Sequence, residues 1–133
     1  MNKPDDFDCW RLPDDGSVAK VTIAPETKIP NAATLVIERE DHTLGNILRM
    51  QLLEDKEVHF AGYRVPHPLE PAIQIKVQTR SNNPGPIDAV DSALIKLTNE
   101  LTALSSSFEK SLKAYAQRTG AHRAGASGDM DVE

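Results

Sequence analysis

The chain has one cysteine, few aromatics and no excess of positive charge, and each shortage removes a class of function. With Cys9 alone there is no intramolecular disulfide, and a structural zinc site is not expected. The four histidines, His42, His59, His67 and His122, stand at no metal-ligand spacing. No charged-then-apolar leader and no apolar run of about 18 residues is found, so neither secretion nor membrane insertion is expected, and a reducing compartment is. Glycines are few, and Gly45 and Gly62 are isolated, so there is no glycine-rich phosphate loop. Aromatics make up 5% of 133 residues. Phe60 and Tyr63, three apart in a candidate strand, point to opposite faces and cannot form the stacking platform of a sheet that binds single-stranded RNA.

Net charge is −5, and it sits at the ends. Residues 1–16 set Lys3 and Arg11 against Asp5, Asp6, Asp8, Asp14 and Asp15, a net of −3, and residues 119–133 carry −2. The middle balances at zero, which is no footprint for phosphate binding. A free-standing RNA-binding module is therefore the weaker alternative, and no cofactor is implied.

What is present is an alternation of strand and helix patterns in one domain. Residues 1–16 read as an acidic arm laid over the domain, with its aromatics, Phe7 and Trp10, as packing residues. Val18 to Ala24 reads as a first strand ended by Pro25, and 32–39 as a second, with Ala33, Leu35 and Ile37 on one face. A helix follows near 43–54, with Thr43 placed to cap it. Val58 to Val65 and 72–80 read as further strands, and Ser81 to Pro86 as a loop. The period then changes. Ile87, Val90, Leu94, Leu97, Leu101, Leu104, Phe108, Leu112 and Tyr115 follow one another at spacings of three and four, a heptad seam on a helix over 88–118 that Gly120 closes. Residues 119–133 read as a disordered tail. The order β-β-α-β-β-α gives an α+β domain over 17–118, with an antiparallel sheet packed by a short helix and a long one.

The long helix is longer than the sheet. A strand over 72–80 spans roughly 30 Å, and a helix over 88–118 roughly 46 Å. Leu104, Phe108, Leu112 and Tyr115 would each forgo about 1.5–3 kcal/mol if left in water. Another chain is the expected cover; a break at Ser105-Ser106-Ser107 that folds the seam inward is the alternative.

The run Glu40-Asp41-His42-Thr43-Leu44-Gly45-Asn46 holds an acid beside an imidazole, a pairing that also suits general-base chemistry. At a strand-to-helix junction the same side chains serve to cap first-turn amides, and no nucleophile in a glycine-flanked elbow accompanies them. No catalytic residue is expected. Together with Thr27-Lys28-Ile29-Pro30-Asn31-Ala32 and Phe60 to Leu69, this run resembles a family of RNA polymerase assembly subunits: the eleventh subunit of eukaryotic RNA polymerase II, the archaeal L subunit and the N-terminal domain of the bacterial alpha subunit. The resemblance implies an alpha-like dimerisation fold, non-catalytic by itself, that heterodimerises with the third subunit of polymerase II in the nucleus. It further implies contacts with the large catalytic subunits and small zinc-binding subunits. Leu44, Ile47, Leu48 and the seam from Ile87 to Tyr115 would form the partner interface, with Glu40, Asp41, His42, Thr43, Gly45 and Asn46 setting the helix entry. The equivalent subunit shared by polymerases I and III carries the same run and is the alternative within the family.

Overall fold

The computed structural model describes residues 6–125. A one-turn 3-10 helix, Asp6–Cys9, precedes β1 (Val21–Pro25), β2 (Ala32–Glu38), α1 (His42–Leu53), β3 (Val58–Arg64), β4 (Ala72–Thr79) and α2 (Pro86–Gly125). The strands form one antiparallel sheet in the order β1-β2-β4-β3. Since β2 and β3 both run against β4, they are parallel to each other, and α1 is the crossover that such a pair requires.

Alternation in the central strands decides which face is covered. Register places Leu35 beside Ile75, Ile37 beside Ile73 and Ala33 beside Val77, all buried, while Thr34, Val36, Gln74, Lys76 and Gln78 stand half-buried on the other face. Leu48 and Leu52 of α1, together with Ala89, Val90, Ala93 and Leu97 of α2, complete this core. Tyr63 lies opposite Ile75 on the covered face and Phe60 opposite Gln78 on the open one, so the sheet offers no pair of aromatics on one face of β3.

Element boundaries moved where local geometry overrode periodicity. β1 begins at Val21 rather than Val18, because β2 ends at Glu38 and Arg39 turns away with φ +57, leaving residues 18 and 19 nothing to pair with. The cap of α1 is Asp41, not Thr43: its carboxylate accepts from Thr43 N at 2.8 Å. Helix α2 opens at Pro86, whose missing N–H costs nothing there, and Asp88 Oδ2 accepts from Gly85 N at 3.0 Å as the reciprocal half of a capping box. It passes through Gly120 to Gly125, since one glycine costs only about 1 kcal/mol and the alanines behind it favour helix. The expected disordered tail is thus helical to Gly125, and the rest of it lies outside the described residues. In the arm, Phe7 and Trp10 are exposed rather than packed, and residues 1–5 lie outside the described residues.

By its internal contacts the chain divides into two units after Leu97. The first holds the whole core, with Leu97 as its last buried residue at 9% exposure. In the second, every residue from Thr98 to Thr119 is exposed. Leu97→Ala should therefore lower unfolding free energy by about 2–5 kcal/mol, whereas Leu101→Ala should change it by less than about 0.5 kcal/mol. Chemical denaturation of both variants in dilute solution checks where the core ends.

Candidate partner-binding surface

The Glu40–Asn46 run fastens α1 to the sheet. Arg39 N donates to Pro71 O at 2.6 Å, and Glu40 pairs with Lys20 Nζ at 2.6 Å across the start of β1. Asp41 then caps the helix. The Thr43 amide, and after it the Thr43 hydroxyl, hold the Asp41 carboxyl below its ordinary value of 3.8. His42 Nδ1 lies 3.0 Å from the Tyr63 hydroxyl, and the two rings meet edge-on with centroids 5.7 Å apart. Gly45 is buried beneath the same tyrosine, where a Cβ would stand 2.5 Å from Tyr63 Cδ2. The glycine is there for close approach. The hydrogen bond between His42 and Tyr63 makes the imidazole a clamp between α1 and β3. Among the described residues no group of three or more His, Cys, Asp or Glu is placed to hold a metal, and no helix is long and apolar enough to cross a membrane.

The apolar seam divides at the end of the core. Leu48, Val90 and Leu97 are buried inside the chain's own core, which corrects their expected place on a partner surface: the chain covers them itself. Leu44 is half-buried against that core. Ile47, Ile87 and Leu94 are exposed, as are Leu101, Leu104, Phe108, Leu112 and Tyr115, with Phe108 and Tyr115 at 67% and 68%. Three further exposed residues were missed in the sequence: Met50 and Leu53 on α1, and Ile95 on α2. From Ile47, Met50 and Leu53 step three positions at a time round the helix, away from the side of Leu44, Leu48 and Leu52, so a stripe drawn through those leucines passes over them.

No break interrupts α2 at Ser105-Ser106-Ser107. Thr102 Oγ1 donates to Thr98 O at 2.8 Å, Ser111 Oγ to Ser107 O at 3.0 Å and Thr119 Oγ1 to Tyr115 O at 2.9 Å. These hydroxyls are satisfied within the helix itself. The exposed residues 101, 104, 108, 112 and 115 therefore keep one continuous stripe of coiled-coil spacing along an unbroken helix.

A helix seam of this kind beside an α+β core matches a known group. The pattern described as the RNA polymerase Rpb3/Rpb11 dimerisation domain matches residues 32–107. The chain belongs to that family. It is 48% identical over 108 residues to DNA-directed RNA polymerase II subunit rpb11 of Dictyostelium discoideum, covering 81% of this chain and 88% of that protein. It is 46% identical over 123 residues to the probable DNA-directed RNA polymerase II subunit RPB11 of Caenorhabditis briggsae, covering 92% and 98% respectively. The solved structure of DNA-directed RNA polymerase subunit L from Thermoplasma acidophilum superposes with a TM-score of 0.60 at 28% identity, over 74% of this chain and 96% of that one. The family match spans the helix entry and the first part of the exposed stripe, to residue 107.

Two outcomes test the clamp. Gly45→Ala should destabilise the fold by about 1–3 kcal/mol through overpacking, partly recovered by Tyr63→Leu, as read by denaturant titration. Because the carboxyl of Asp41 ionises more easily folded than unfolded, its contribution is present above the unfolded value and lost as pH falls through the lowered one. Asp41→Asn, which keeps an acceptor, should reduce the acid-side loss of stability, whereas Asp41→Ala should cost about 1 kcal/mol at neutral pH.

Proposed function

We propose that this chain is a non-catalytic core subunit of DNA-directed RNA polymerase II in the nucleus. Residues 17–118 act as its dimerisation domain, pairing with the alpha-like third subunit. The pair then seeds assembly of the two large catalytic subunits and the small zinc-binding subunits. The observation that carries this reading is the exposed stripe Leu101, Leu104, Phe108, Leu112 and Tyr115 in a member of a dimerisation family. Each of these side chains gains about 1.5–3 kcal/mol on full burial, and a partner helix at heptad register is the geometry that buries them together. On α1, Ile47, Met50 and Leu53 offer a second exposed apolar strip, and on α2, Ile87, Leu94 and Ile95 a third.

Its role in the polymerase is scaffolding: the clamp at Glu40–Asn46 sets α1, α1 and α2 close the core, and the stripe recruits the partner. The Dictyostelium and Caenorhabditis relatives carry the name of a polymerase II subunit, which supports this assignment over the subunit shared by polymerases I and III.

The deciding measurement is co-expression with the third subunit. Leu101→Asp combined with Phe108→Asp should abolish recovery of a 1:1 complex, because carboxylates would be buried without counter-charge. The circular dichroism of the folded chain should stay unchanged, since neither residue is in the core. A complex recovered at wild-type yield from the double variant would rule the stripe out as the interface. Leu97→Asp is the contrasting control: it strikes the core and should unfold the chain.

A further inference from the structure

We infer that the acidic arm is a second docking element, in which Phe7 and Trp10 insert into an apolar pocket rimmed by lysine or arginine on another polymerase subunit. The inference rests on the assembly reading above and adds an interface separate from the α2 stripe. The chain holds three Phe, two Tyr and one Trp, so two of its six aromatics stand within four residues of the arm. Both are exposed, Phe7 at 63% and Trp10 at 64%. The turn that carries them is built: Phe7 O accepts from Trp10 N at 3.4 Å and from Arg11 N at 3.0 Å. It brings the two rings to a centroid distance of 6.2 Å with a tilt of 54°. A paired Phe and Trp in that arrangement offers large apolar area at small entropic cost, the kind of anchor that dominates protein interfaces.

Charge selects the partner. Arg11 is engaged by Asp14, and residues 1–16 together carry Lys3 and Arg11 against five aspartates, a net of −3. Such a segment repels phosphates and anionic lipid, so nucleic acid and membrane surfaces do not fit it. A protein pocket with a cationic rim does, because carboxylates beside an apolar anchor steer docking and fix its register.

The test uses the complete polymerase purified through a tag on this chain, with a synthetic peptide of residues 1–16 as the unprotected reference. Hydroxyl-radical footprinting read by mass spectrometry should show oxidation of Trp10 reduced at least tenfold in the polymerase. Carbodiimide should join Asp5, Asp6 or Asp8 to a lysine of another subunit, and Phe7→Ala with Trp10→Ala should remove that cross-link while leaving recovery of the heterodimer unchanged. Trp10 as reactive as in the peptide overturns the inference. So does protection with cross-links confined to this chain's own lysines, or with none. If the tagged chain brings down no polymerase subunit, the assembly reading fails first and takes this one with it; polymerase recovered with a reactive Trp10 sinks the arm alone.

Discussion

Helix α2 carries one apolar period through two different environments, and the rest of the molecule follows from where it changes. Up to Leu97 the period belongs to the core, where Ala89, Val90 and Ala93 pack with Leu48, Leu52 and the central strands. From Leu101 onward the same spacing faces solvent. A helix exposed all round gains nothing from tertiary packing, and packing is what usually stabilises helices in proteins. Twelve of the residues 98–119 are Ala, Leu, Glu, Lys, Gln or Arg, the strong helix formers, and three hydroxyls bond back to the helix's own carbonyls; its apolar side chains stay exposed.

The clamp at the start of α1 matters because it sets the other helix of the core. Asp41 fixes the helix start, and the contact of Tyr63 with Gly45 fixes its distance from β3. Gly45 allows a ring to sit where any Cβ would stand, and His42 ties that ring's hydroxyl back to the helix. A larger residue at position 45 would push α1 outward, and Ile47, Met50 and Leu53 with it.

Much of this was legible in the sequence, and the failures share a cause. The order β-β-α-β-β-α, the covered face of β2 and β4 and the opposed directions of Phe60 and Tyr63 all follow from period two, which is a local property. The heptad seam was equally plain. What the period could not give was the point at which the chain stops covering its own seam, so Leu48, Val90 and Leu97 were placed on a partner surface when they are core. That point depends on which strands lie under the helix, a tertiary fact. The same holds for the partner of Gly45, a tyrosine eighteen positions away, and for Phe7 and Trp10, whose apolar character fits burial or display equally well.

Dividing the seam at Leu97 also separates folding from association in thermodynamic terms. If the stripe were part of the core, every substitution that weakened pairing would weaken the fold, and the two free energies would rise and fall together. With the stripe outside the core, pairing in the proposed complex would add stability by mass action, as RT ln(1 + [partner]/Kd), on top of that of the sheet and α1. In the proposed complex, partner choice would fall to the polar residues beside the seam rather than to its leucines, because apolar side chains at heptad positions bury well against many helices. Glu100, Glu109 and Lys113 stand next to Leu101, Phe108 and Leu112 in the sequence, so a partner helix that buries the stripe would bring its own flanking charges against theirs. A helix with the wrong charge pattern would gain the same apolar area and lose much of that gain to repulsion.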